Sequence, residues 1–287
     1  MLRNLLISIT LFCPGLLALG QNCLSSVSYL PEDSVKVCTI LRKDSAHYVS
    51  YCGQQLLGIP YVPHTLEIND PECLVVNLRE LDCTTFMETS MALALTALKL
   101  KTEGQPQKAD TFALYCRTLQ RIRYRKGDIS EYPSRLHYIC DWSVDNVSMG
   151  IIEDITGAHA EDRLPVRIGY MSANPEKYKQ LKEHPEYVSP IRDMEERCNA
   201  MYFTYLPKSK LPAEGKKWIH EGDLVAMLTT IEGLDVSHVG IAVYVKDELH
   251  LMHASMIEKQ VIIDPRPLSQ QIDKKSCPGI RVFRIQG

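Results

Sequence analysis

The sequence predicts an α+β fold in which a helix-led half feeds an antiparallel sheet. Three observations predict it. A long helix-periodic apolar segment begins at Cys83. From Gly222 onward the chain breaks into short apolar runs separated by turns. Between them lies a polar, aromatic, proline-containing stretch with no long period. Helices gathered before strands, rather than alternating with them, point to α+β and away from a parallel α/β sheet.

In chain order, the first twenty residues read as an export signal. Arg3 precedes an apolar run from Leu5 to Leu19 that Pro14 and Gly15 interrupt, and Ala18 and Gly20 are spaced for cleavage. The run falls short of the roughly 20 unbroken apolar residues a bilayer helix needs. Cleavage after Gly20 would leave one domain over 21–287, acting in the periplasm or outside the cell, with no stable membrane insertion. Lipid anchoring at Cys23 is the weaker alternative, because Gln21 and Asn22 suit that processing poorly.

Residues 32–51 then read as a helix, a Gly-Ile-Pro-Tyr turn occupies 58–61, and Leu74 to Leu78 reads as a buried strand. A helix from Cys83 to about Lys101 places Met87, Met91, Ala94, Leu95 and Leu98 on one side, and a second runs from about Asp110 to Tyr124. Residues 105–215 read as a helical and loop insertion, with a helical patch over 175–183. Strands follow at Asp223–Leu228, His238–Val245, Glu248–His253, Val261–Ile263 and Ile280–Ile285.

Composition narrows the function. The 287 residues carry a net charge of −3 and no long basic run, which argues against a nucleic-acid partner. Arg121, Arg123, Arg125 and Lys126 read as a solvated helix end. Ten cysteines are many for a reducing compartment. Nine remain once Cys13 leaves with the signal, an odd number that fits up to four disulfides and one working thiol.

That thiol is expected at Cys83. A thiol attacks an acyl carbon as thiolate, and a helix N-terminus or a neighbouring imidazole favours that anion. Cys83 opens its helix; most lone cysteines simply pack as small hydrophobes. His238 opens a strand two residues before Gly240, whose missing side chain leaves the same face open. A third polar group should hold the imidazole by its other nitrogen. His250 and His253 follow on the next strand but face opposite ways, and periodicity does not choose between them.

Four segments resemble the signature of the NlpC-type, papain-like cell-wall cysteine peptidases: Asp82-Cys83-Thr84-Thr85-Phe86, Gly222-Asp223-Leu224-Val225, His238-Val239-Gly240-Ile241 and His253-Ala254-Ser255. The resemblance implies Cys83 as nucleophile, His238 as base and His253 as the third residue. It also implies that Tyr61, in Gly58-Ile59-Pro60-Tyr61, borders the oxyanion region. Thr84-Thr85 departs from the family's Ser-Gly.

Longer segments resemble the N-acetylmuramoyl-L-alanine amidase-like branch: Leu57 to Val62, Val76 to Phe86, Ser134-Arg135-Leu136-His137-Tyr138, Asp141-Trp142 and Leu234 to Gly240. That branch implies an exported hydrolase whose substrates are peptidoglycan fragments or muropeptides. The bond implied is the amide between N-acetylmuramic acid and L-alanine, cut through a thioester with no metal and no cofactor. Substrate contacts are expected from Asp82, Ser134, Arg135, Tyr138, Asp141, Trp142 and Ser237; ordinary loop packing is the competing reading. Asn146-Val147-Ser148 reads as a chance glycosylation sequon.

Three rival functions remain at this stage. Cys83, His238, His250 and His253 are candidate zinc ligands, although period two separates the last pair. A catalytically dead muropeptide-binding module would keep the fold without the chemistry. An endopeptidase would cut the D-glutamyl to diamino-acid bond of the stem instead. A thiol–imidazole pair also predicts two ionisations near neutrality in the pH profile.

Overall fold

The computed structural model describes residues 27–103 and 108–286, so the expected signal and Cys23 lie outside the described residues. Five helices matter for the site: α1 (Pro31–Leu41), α2 (Val49–Gln54), α3 (Cys83–Glu103), α4 (Lys108–Arg123) and α5 (Ile139–Ser148). A short parallel pair joins β1 (Val27–Ser28) to β2 (Leu74–Val75). The remaining strands are β3 (Ile152–Asp154), β4 (Asp162–Pro165), β5 (Tyr202–Pro207), β6 (Leu224–Leu228), β7 (Val236–Val245), β8 (Glu248–Ser255), β9 (Gln260–Ile263) and β10 (Gly279–Ile285). They form one sheet in the order β4-β5-β10-β6-β7-β8-β9, with β3 also paired to β10. All its pairings are antiparallel.

The mixed α and β composition, the helix at Cys83 and the late strands stand where the sequence places them. Three expectations change. The helix expected over 32–51 is two helices, because the chain turns through a short 3₁₀ segment at Asp44–His47. The strand expected over 74–78 pairs only at Leu74 and Val75. The insertion is not solely helix and loop: it supplies β3, β4 and β5 to the same sheet as the rest of the chain.

Both faces of the central strands are covered. Phe86, Met87, Met91, Leu93 and Ala94 of α3 share a core with Val239, Ile241, Val243, Met252 and Ala254 of β7 and β8. The alternate residues Val225, Met227, Ala242, Leu249 and Leu251 face a second core with Leu268, Ile272, Ile280 and Val282. A third core under the insertion gathers Val166, Ile168, Met171, Ile191, Met194 and Phe203. A sheet covered on both faces makes its strands read as nearly continuous apolar runs. Burial of β8 from Leu249 to Ser255 follows that rule.

Candidate active site

The N-terminus of α3 is built by a reciprocal cap. The Thr85 N–H donates to Asp82 Oδ1 at 2.8 Å, and the Asp82 N–H donates to Thr85 Oγ1 at 2.9 Å. This satisfies orphan donors of the first turn and fixes where the helix begins. Thr85, the departure from the resembled pattern, is therefore the capping partner. Asp82 spends its side chain on this cap and on the Thr85 hydroxyl.

Cys83 is the first residue of α3 and is only partly covered. Its sulfur hydrogen-bonds the backbone of Val239, the residue after His238, and both the hydroxyl and the backbone of Thr84. These contacts favour a thiolate. Atoms crowded round the sulfur oppose it by desolvation, and the Asp82 carboxylate adds repulsion, so the resting thiol is pushed up to about 12. A helix start alone thus does not ionise this cysteine.

Across the sheet, His238 Nε2 lies 2.6 Å from His253 Nδ1, with the two rings edge-to-face. Period two alone leaves His250 and His253 equivalent; the structure joins His253 to His238 and turns His250 Nδ1 to the Asp264 carbonyl at 2.8 Å. Burial pushes His238 down to about 3, with the neighbouring His253 and Lys274 adding to the shift. His253 is lowered too, chiefly by burial, against the opposing pull of Asp264. The pair is neutral at rest. Two ionisations near neutrality are therefore not what this site presents: the thiol moves up and the imidazole down.

Sequence reasoning missed Asp264. Its Oδ2 lies 3.7 Å from His253 Nε2, and Arg266 holds the same carboxylate at 3.0 Å. Burial pushes the Asp264 acid up, but the Arg266 hydrogen bonds and charge outweigh it and hold the carboxyl below its usual range. A carboxylate facing Nε2 favours the proton there. His253 Nδ1 then accepts from His238 Nε2–H, which leaves the lone pair of His238 on Nδ1. Nothing in Ile263-Asp264-Pro265 signals this. The only clue is its place one residue past β9, paired beside β8.

Tyr61 stands beside this centre. Its N–H donates to the Lys259 carbonyl at 2.9 Å, while the Val62 N–H donates to the Leu81 carbonyl and the Leu81 N–H to the Pro60 carbonyl. The phenol is pushed up to about 12 by desolvation, then by Cys83 and Asp82, and so stays a neutral donor. Gly240 does not leave a face open as expected: a Cβ there would lie 2.7 Å from the Met252 carbonyl, so β8 fills that space.

The expected substrate contacts are placed differently. Trp142 is 1% exposed and packs edge-on against Phe283. Arg135 is buried between Glu67 at 3.2 Å and Glu72 at 3.3 Å, with its guanidinium over the Tyr132 ring. Asp141 accepts both arms of Arg125, Tyr138 donates to Glu195, and Ser134 donates to the Glu131 carbonyl. Ser237 alone is exposed next to His238. Nor is the basic cluster near 121–126 a solvated end: Arg123 is buried against Glu88 at 2.6 Å. Asn146 is buried too, its amide donating to the Ile122 and Trp142 carbonyls, so the sequon is inaccessible. Cys73, Cys83, Cys140, Cys198 and Cys277 carry free thiols, which leaves fewer cysteines for disulfides than the count allowed.

Comparison with known proteins gives these features a family. A family profile described as AmiA-like, N-acetylmuramoyl-L-alanine amidase-like, matches residues 51–280. A solved structure of an N-acetylmuramoyl-L-alanine amidase from Bacteroides uniformis is 42% identical, with TM-score 0.78, covering 84% of this chain and 100% of that one. A Bacteroides fragilis structure with a provisional xylanase name is 43% identical, with TM-score 0.74 and coverage of 82% and 99%. The Legionella pneumophila protein LPG0564 shares the fold at 18% identity, with TM-score 0.63 and coverage of 89% and 94%. The search of curated proteins found no match. Fold, site and relatives together define a hydrolase acting on an amide bond. The chain belongs to the N-acetylmuramoyl-L-alanine amidase-like family.

Proposed function

We propose that this chain is an exported peptidoglycan hydrolase of the papain-like, NlpC type. It would cleave the amide between the lactyl group of N-acetylmuramic acid and L-alanine. The observation that carries the reading is the 2.6 Å contact from His238 to His253, beside a sulfur bonded to the next residue of the same strand. Export draws support from the family and the apolar N-terminal run; among the described residues no helix is long and apolar enough to cross a membrane.

The chemistry follows from a neutral pair. His238 Nδ1 takes the thiol proton as the sulfur bonds to the amide carbon, so no free thiolate need accumulate. Negative charge moves to the carbonyl oxygen, where the Cys83 N–H and the Tyr61 hydroxyl are the nearby donors. One such donor contributes about 3 kcal/mol. The new imidazolium is stabilised through His253 by the Asp264 carboxylate. It gives its proton to the alanine nitrogen, the C–N bond breaks and the stem peptide leaves. His238 then deprotonates water, which opens the thioester and returns the thiol.

A digest of defined muropeptides, read by mass spectrometry, tests this. Free muramyl sugar with an intact stem peptide is the expected product. A shortened sugar-dipeptide would assign the D-glutamyl endopeptidase instead. Absence of any product, with muropeptide bound equally by the native chain and Cys83→Ala, would leave a binding module.

A further inference from the structure

A second feature takes no part in the chemistry above. The turn between β6 and β7 and the 164–174 segment of the insertion enclose an open cavity of about 1200 Å³. Its walls are joined where the N–H groups of Gly169 and Tyr170 both donate to the Gly233 carbonyl at 3.1 Å. Gly233 has φ +79°, and a Cβ there would come within 3.0 Å of the Tyr170 backbone, so this closure requires glycine.

The cavity reaches the segment that leads into β7. Asp235 lines it, and β7 starts at the next residue, with His238 paired to Met227 of β6. Asp235 also anchors the wall: its carboxylate accepts the N–H groups of Cys140 and Val236.

Chemistry assigns the occupant. In the proposed reaction His238 hands its proton to the departing amine, so the leaving stem peptide starts within reach of the imidazole. The rim suits an anionic peptide. Arg167 lines the cavity, is exposed, and makes no ion pair or hydrogen bond among the described residues. Lys177, outside the lining, bonds the Tyr170 hydroxyl and Asn174 of the wall, and Glu232 is the exposed carboxylate of the lining itself. Tyr202, 69% exposed, offers a bare aromatic face.

We infer that this cavity is the leaving-group subsite, in which Arg167 binds the glutamyl carboxylate of the stem peptide. The inference rests on the amidase reading for the identity of the leaving group. It takes the place of the contacts expected from Arg135, Tyr138, Asp141 and Trp142, which are buried within the protein.

The test uses the free stem tripeptide, L-alanyl-D-glutamyl-diamino acid, titrated calorimetrically into the full chain. Arg167→Ala should weaken binding about tenfold, as loss of one charge-assisted pair does. Arg167→Lys should recover part of the loss. Amidating the glutamyl carboxylate should weaken the native chain equally and the Arg167→Ala variant hardly at all. In turnover, Arg167→Ala should lower the preference for muramyl-tripeptide over muramyl-alanine by a similar factor, through KM. Equal tripeptide binding by native and Arg167→Ala chains overturns the subsite, even if muramyl-alanine bonds are cut. Arg167-dependent binding without release of muramyl sugar overturns the amidase reading and leaves the subsite standing.

Discussion

Two buried polar centres adjoin α3, and they differ in how completely they are paired. In the first, Arg123 and Glu88 meet at 2.6 Å, and the Val75 carbonyl takes another arm of Arg123. In the second, His253 Nε2 is buried without a hydrogen bond, 3.7 Å from its carboxylate, and the imidazoles are kept neutral. The first centre has spent its charges on structure. The second holds basicity in reserve, which is what a proton-transfer site requires. Pairing is what tells them apart.

The sharpest way to break this contrast is Cys83→Ala. Turnover of muropeptide should fall at least about 10⁴-fold, as for removal of other nucleophiles, while circular dichroism stays unchanged. Near-native turnover would disqualify the second centre. Glu88→Gln should act the opposite way, leaving Arg123 uncompensated in the core. Urea unfolding should show a loss of about 3–5 kcal/mol, with turnover per folded molecule little altered.

Smaller effects sharpen the relay. His253→Ala should lower kcat about 10²-fold, and Asp264→Asn about tenfold, the range for groups that orient a ligand or base. Equal kcat for Asp264→Asn and the native chain would remove Asp264 from the relay.

The pH response should separate stability from chemistry. His238 has a folded pKa of about 3, below the unfolded value of about 6.5. Between those values the unfolded chain binds more protons. Stability from this group is complete above pH 6.5 and is lost as pH falls toward the folded value. Melting temperature should therefore drop below about pH 6.5, while kcat per folded molecule holds well into acid. A catalytic limb centred on about 6.5 would contradict the neutral, desolvated imidazole.

Legibility followed period and motif. The helix-periodic run beginning at Cys83 and the apolar run of β7 declare their elements, because burial on one face or on both imposes those patterns. Choosing His253 over His250 needed a resemblance, since either could face the site. Asp264 was illegible because its role depends on how β9 aligns with β8. The Ser134 to Trp142 motif was legible as a motif, yet a buried Trp142 and a sugar platform look alike in one dimension. Arg167 drew no notice for the same reason: only the fold of the insertion brings it toward the β6–β7 turn.

The raised thiol pKa has a further consequence. Peroxides and mixed-disulfide partners attack the sulfur anion, so exposed, ionised cysteines are consumed first in oxidising surroundings. In the proposed mechanism Cys83 keeps its proton until an acyl group docks, which would shield it from such wastage between turnovers and release the nucleophile only to the bond it is meant to cut.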